Sequence, residues 1–203
     1  MSVRIEQLSG SALANGIDAL ARLRMVVFRE WPYLYDGDLA YEAEYLATFA
    51  KSEGSIIVAA IDGDVFVGAA TGSPLTEHTE EFGSVFADHG LDPGTIFYCG
   101  ESVLLPAYRG QGIGHAFFDH REGHAHALNA AGDHKFTHST FCGVVRTTDD
   151  TRCPSDYRPL DGFWEKRGYS KVPGLVGHYD WREIGDVQES RKDMQFWLRE
   201  LDV

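Results

Sequence analysis

From Val3 to Leu8 the chain alternates Val, Ile and Leu with polar residues, the period-two pattern of a short strand. Between about Ala12 and Arg29 the rhythm changes, and Leu13, Ile17, Leu20, Leu23 and Val27 recur at helical spacing. Trp31-Pro32 stops that helix, because proline disfavours a helical conformation in the residue before it, and Trp31 to Gly37 reads as an aromatic loop. A second helix is predicted from about Leu39 to Lys51. Ser55 to Ile61 and Val65 to Thr71 are β-branched runs joined by Asp62-Gly63-Asp64, a strong hairpin signal. The stretch from Glu77 to Gly94 is polar and loosely helical and reads as an excursion outside the core. Thr95 to Leu105 is strand-like, Gly110 to Gly114 is a glycine-rich loop, and Ile113, Phe117 and Leu128 predict a helix reaching about Ala131. A strand from Phe136 to Val145 follows, then a short helix ending at Arg167-Gly168, with Gly168 as its left-handed cap. Leu175 to Glu183 and Met194 to Leu201 complete the chain as strands. Alternating helices and strands with one hairpin predict an α/β chain whose mixed sheet carries helices on both faces.

The length of 203 residues suits a single domain spanning 1–203, with no repeat or linker to divide it. A fold of this size buries roughly 70% of its unfolded surface, so neither a disulfide nor a structural metal is required. Hydrophobic residues at 43% and charged residues at 24% exclude a disordered chain. The net charge of -13 disfavours nucleic acid and anionic membrane as partners and attracts cationic acceptors such as amines. Cys99, Cys142 and Cys153 show no CxxC spacing and read as reduced thiols. The start of the chain lacks a basic-then-apolar leader, and runs such as Ile56 to Ile61 fall far short of the about 20 residues a membrane span needs. A cytoplasmic protein is expected.

The chemistry concentrates in Ser102-Val103-Leu104-Leu105-Pro106-Ala107-Tyr108-Arg109-Gly110-Gln111-Gly112-Ile113-Gly114, a strand, a turn and a glycine loop opening a helix. Bare amides at a helix start, the positive end of its dipole and the Arg109 fork make an anion site suited to phosphate. The spacing fits neither a Rossmann fingerprint, which would need glycine at His115 or Phe117, nor a P-loop, which would need a lysine. The bland alternative is a glycine turn with no ligand. His115, His120, His124, His126 and His134 crowd the following helix, and His120 and His124 stand one turn apart. No HExxH pattern accompanies them, so solvated histidines and no metal are expected. Cys142, on a strand, reads as a packing thiol rather than a nucleophile.

Arg109-Gly110-Gln111-Gly112-Ile113-Gly114, preceded by a strand and Pro106, resembles the R/Q-x-x-G-x-G/A signature of the GNAT family of N-acetyltransferases. Phe163-Trp164-Glu165-Lys166-Arg167-Gly168-Tyr169 resembles that family's frequent L-Y-E-K-L-G-F, and the element order fits from about Val3 to Leu201. The resemblance implies the GNAT acyl-CoA N-acyltransferase fold, a mostly antiparallel central sheet with helices on both faces. It also implies acetyl-CoA as cosubstrate, with the pyrophosphate on Arg109, Gly110, Gln111, Gly112, Ile113 and Gly114. The pantetheine arm would pair with the main chain at Val103 and Leu104, where the fourth strand splays from the fifth, while their side chains stay ordinary core.

Acetyl transfer from a thioester to an amine needs a polarised carbonyl, an ammonium that loses a proton and a departing thiolate that gains one. A backbone N–H near Leu104 would serve the first. Glu101 is the candidate base, where some relatives carry a glutamate, and an apolar strand would raise its pKa. It could instead orient substrate or pair with a basic residue. Many relatives place a tyrosine acid where this chain has Trp164, whose indole cannot protonate a thiolate. Tyr157 is the best substitute, ahead of Tyr33 and Tyr35, although a packing aromatic fits it as well. Trp31, Tyr33 and Tyr35 are candidate acceptor contacts, or a cover for the sheet. The expected activity is transfer of acetyl to a small-molecule amine in a ternary complex. The alternatives are a non-catalytic acyl-CoA-binding module, favoured by Trp164, an acetyltransferase acting on a protein N-terminus or lysine, and an enzyme using a longer acyl-CoA. The two C-terminal strands would offer a homodimer interface.

Overall fold

The computed structural model describes residues 3–49 and 51–202; Ala50, within the second predicted helix, lies outside them. The elements in chain order are β1 (Arg4–Leu8), α1 (Gly10–Phe28), α2 (Leu39–Phe49), β2 (Ile56–Asp62), β3 (Val65–Pro74), α3 (Ser84–Asp88), β4 (Ile96–Leu104), α4 (Ile113–Ala131), β5 (His138–Val144), α5 (Asp161–Lys166), β6 (Ser170–Trp181) and β7 (Ser190–Glu200). The seven strands form one sheet in the order β1-β2-β3-β4-β5-β7-β6. Every neighbouring pair is antiparallel except β4 and β5, which run parallel.

Side-chain alternation along β2 shows how the sheet is covered. Ile56, Val58 and Ala60 face a core shared with Phe117, Phe118 and Ala125 of α4. Ile57, Ala59 and Ile61 face the opposite core, shared with Leu20 and Leu23 of α1 and Leu46 of α2. Both faces are apolar, and each takes a helical layer, as the mixed sheet predicts.

The polar segment 77–94 corrects the expectation of an excursion outside the core. Leu75, Phe82 and Phe86 are fully buried and join Ile96, Tyr98, Leu175 and Phe196 in a third cluster. The Phe82, Val85 and Phe86 spacing is one helical turn of apolar stripe, and surrounding Glu, Asp and His residues hide it from a composition reading.

A bulge in β4 positions the site. Thr71 pairs with Glu101 and Ser73 with Tyr98, so Cys99 and Gly100 together oppose Gly72. Gly72 has no room for a side chain, since a Cβ there would sit 2.6 Å from the Phe97 ring. Such a bulge bends a strand and sharpens its twist. Upstream, β4 pairs with β5 at Ile96, Phe97 and Tyr98; beyond the bulge that pairing ends. From α4, the buried Arg121 guanidinium donates to the Glu101 carbonyl at 2.9 Å and to that of Thr71 at 3.3 Å, tying the helix to both strands at the bend.

Candidate active site

Where β4 leaves β5, a cleft of about 1900 Å³ opens. Single ligand sites run to about 1,000 Å³, so there is room for two molecules side by side. Leu105 donates its N–H to Val67 of β3 at 2.9 Å. Ladder groups alternate between neighbours, so the main-chain N–H and C=O of Leu104 point away from β3, toward the opening. The Leu104 carbonyl accepts from Arg109 Nε at 3.2 Å. Val103 is fully buried in the α1 and α2 core, and Leu104 is half-buried.

At the foot of the cleft, Gly110 and Gly112 adopt φ of 75° and 84°, the left-handed region that favours glycine. A Cβ on either would meet no atom within 4 Å, so the loop leaves open space above its amides as α4 begins. Gln111 folds back to donate to the Ala107 carbonyl at 3.0 Å, and Ile113 is core. Gly114 serves packing: a Cβ there would lie 3.3 Å from the Phe163 ring, so the two sequence motifs touch. Arg109 also pairs with Glu30, Nη2 to Oε2 at 2.8 Å.

Glu101 also lines the cleft, and here the apolar environment expected for it is incomplete. Its side chain is 8% exposed and ion-pairs with Arg24 of α1, which ion-pairs in turn with Glu42 of α2. The apolar surroundings expected of it are thus interrupted by a guanidinium held against its carboxylate. Arg24 is held from both sides, 4.5 Å from the Tyr45 ring centroid and 5.3 Å from that of Phe28.

The profile described as the Acetyltransferase (GNAT) family matches residues 19–139. The chain belongs to the GNAT family. Solved structures agree on the fold. Aminoglycoside 6'-N-acetyltransferase complexed with coenzyme A is 16% identical, with a TM-score of 0.61 over 98% of each chain. Ribosomal-protein-alanine N-acetyltransferase from Brucella melitensis is 13% identical, with a TM-score of 0.59 over 99% of this chain and 100% of that one. PaiA N-acetyltransferase from Thermoplasma acidophilum, in complex with coenzyme A, is 11% identical, with a TM-score of 0.53 over 98% of this chain and 99% of that one. No curated protein sequence matches this chain.

Within this GNAT domain Glu101, Tyr157, Trp31, Tyr33 and Tyr35 all border the same cleft. Tyr33 is packed edge-on to Phe28 at 4.9 Å and tilted against Trp181 at 5.9 Å, and burial pushes its phenol well up. Tyr35 faces Glu42, and burial together with that carboxylate raises its phenol as well. Tyr157 meets Trp31 edge-on at 6.1 Å; burial and then Asp161 raise its phenol, which stays protonated at neutral pH. Trp164 packs between Phe141 at 5.0 Å and Trp197 at 5.1 Å. Cys142 is half-buried on the cleft wall and packs against the third cluster, with its sulfur 3.5 Å from the Tyr98 hydroxyl. None of the three cysteines is in a disulfide.

His115, His120 and His126 are exposed, whereas His124 reaches the Gly54 carbonyl at 3.1 Å and His134 stacks on Phe136 at 4.6 Å. Among the described residues no group of three or more His, Cys, Asp or Glu could hold a metal ion. Among them, too, no helix is long and apolar enough to cross a membrane.

The sequence reading passes over three groups. Arg24 and Glu42 lie on the buried stripes of successive helices, beside Leu20 and Leu23 and beside Leu46. Opposite charges interrupting two apolar stripes are the signal that points to a buried pair. Arg146 is the third: it donates to the Pro32 carbonyl at 2.6 Å, the Tyr33 carbonyl at 3.0 Å and Glu183 Oε1 at 2.7 Å, fastening the aromatic loop.

Proposed function

We propose that this GNAT protein transfers acetyl from acetyl-CoA to the amine of a small molecule, by direct attack in a ternary complex. The observation that carries the reading is the opening of β4 from β5, bounded below by a glycine loop and above by Glu101. The residues fit the cosubstrate: amides of 110–114 with Arg109 would hold the diphosphate, and the outward main chain of Leu104 would pair with the pantetheine arm. The bound thioester supplies an acyl carbon with a thiolate leaving group. Glu101 accepts a proton from the acceptor ammonium, directly or through one water, and the freed nitrogen forms its bond to carbon as the C–S bond breaks, its remaining excess proton passing through solvent to the departing thiolate. A backbone N–H near Leu104 would stabilise the negative charge that develops on the carbonyl oxygen. Tyr157 is the hydrogen-bond donor for the departing sulfur. A phenol raised above its ordinary value stabilises a thiolate better as a donor than as a proton source.

Isothermal calorimetry with acetyl-CoA, followed by CoA release across an amine panel, tests this. Heat on binding and turnover with at least one amine are expected, with Glu101→Gln lowering kcat/KM by about 10²–10⁴-fold. Because Trp164 is locked among aromatic rings, a non-catalytic acyl-CoA sensor is the second reading. Saturable acetyl-CoA binding with no CoA release from any amine would establish the sensor instead.

A further inference from the structure

Two carboxylates and one guanidinium leave the buried trio of Arg24, Glu42 and Glu101 with a net charge of minus one, at side-chain exposures of 9%, 1% and 8%. Arg24 contacts one oxygen of each acid. Of the other oxygens, Glu101 Oε1 is buried without a hydrogen-bond partner, and Glu42 Oε1 is buried with no bond of good geometry although the Tyr35 phenol faces that carboxylate. An ionised oxygen stripped of water and left unpaired is strongly unfavourable, and an excess negative charge in low dielectric adds to that. All three residues line the cleft, beside Phe28, Tyr35 and Tyr45. Helix packing and the stacking rings hold Arg24 where it is, so it cannot swing to serve both spare oxygens.

We propose that Glu42 and Glu101 form an ammonium slot, and that the acceptor is a primary or secondary amine bound as its cation with an apolar or aromatic body against Phe28 and Tyr45. One positive charge neutralises the trio, and its N–H donors satisfy the two idle oxygens. Phe28 and Tyr45, which also pack on Arg24, cover the acceptor's carbon skeleton. Glu42 thereby selects for charge, whereas Glu101 takes the proton, and Arg24 is a positioning residue that holds both carboxylates in register. This assignment rests on the acetyl-transfer reading for the role of Glu101, and on the burial and charge of the trio for the slot itself.

The test compares phenethylamine with 2-phenylethanol, which has the same body and a neutral head, by calorimetry on full-length protein, with and without CoA. Wild-type protein is expected to bind the amine at least about tenfold more tightly than the alcohol. Glu42→Gln is expected to bring the two within about threefold, with the Kd for CoA unchanged and Glu42→Asp restoring part of the preference. For any amine that is turned over, Glu42→Gln should raise the KM for amine and leave that for acetyl-CoA in place. Equal binding of amine and alcohol, no binding of either, or a preference that survives Glu42→Gln would each overturn the slot. If Glu42→Gln fails to fold, the wild-type comparison decides alone. Absence of CoA binding in wild-type protein strikes the acetyl-transfer reading, while the amine-to-alcohol ratio in CoA-free protein still reads the slot.

Discussion

Gly112 holds a left-handed φ of 84° with no neighbour where its side chain would be. Alanine there incurs about 1–2 kcal/mol of backbone strain and places a methyl group over the amides proposed to grip phosphate. Gly112→Ala should lower Tm by a few degrees and raise the acetyl-CoA Kd at least about tenfold, measured by scanning calorimetry and titration. Arg109 makes the opposite case, because it is already engaged by Glu30. Removing that competitor with Glu30→Gln should tighten acetyl-CoA binding, and a weaker complex would show that Glu30 positions Arg109 rather than competing for it. The loop is legible in sequence because its glycines and arginine are contiguous. Arg24 and Glu42 are not legible as a pair: they lie 18 residues apart, and only helix packing shows that each charge answers the other.

Elements meet through a few buried polar groups, and α4 supplies two of them. Besides Arg121, Glu122 of α4 accepts from Tyr169 at 2.9 Å, Arg167 at 2.7 Å and Arg199 at 2.9 Å, joining α4 to the end of α5 and to β7. Glu122→Ala leaves Arg199 without its carboxylate and Arg167 with Asp119 alone, and should cost about 1.5–3 kcal/mol, read from urea unfolding. Phe86→Ala, in the third cluster, should cost about 3–5 kcal/mol by cavity formation, which a surface excursion would not. Most strands and helices are legible because their periodicity is strong, as in the two-faced β2. Neither the bulge in β4 nor the third cluster is legible. A bulge depends on how two strands register, and Phe82 and Phe86 are too few and too surrounded by charge to announce a core.

Across the whole molecule the net charge is -13, yet Arg146 and Arg152, which line the cleft, gather with Lys192 around Glu183. Burial alone would raise the Glu183 carboxyl, but hydrogen bonds from Arg152 and Arg146 outweigh it and hold it below the ordinary carboxylate value. Asp150, bound by Arg152, is lowered to about 2. Depressed values mean that these contacts contribute fully above the unfolded pKa of about 4 to 4.5 and fade as pH falls through the folded values. Tm measured from pH 7 to pH 3 should therefore hold near neutrality and drop in acid, and Glu183→Gln should flatten part of that drop.

The three-residue junction between β4 and β5 has a consequence for the unliganded protein. Four strands stand on one side of it and three on the other, so the sheet amounts to two leaves stitched by a short seam. A molecule laid between the leaves acts as the missing rung and makes them one body. Amide exchange along Ser102 to Leu104 and Gly143 to Val144 should then slow together on saturation with CoA, the leaves closing as a pair of tongs would on what they hold.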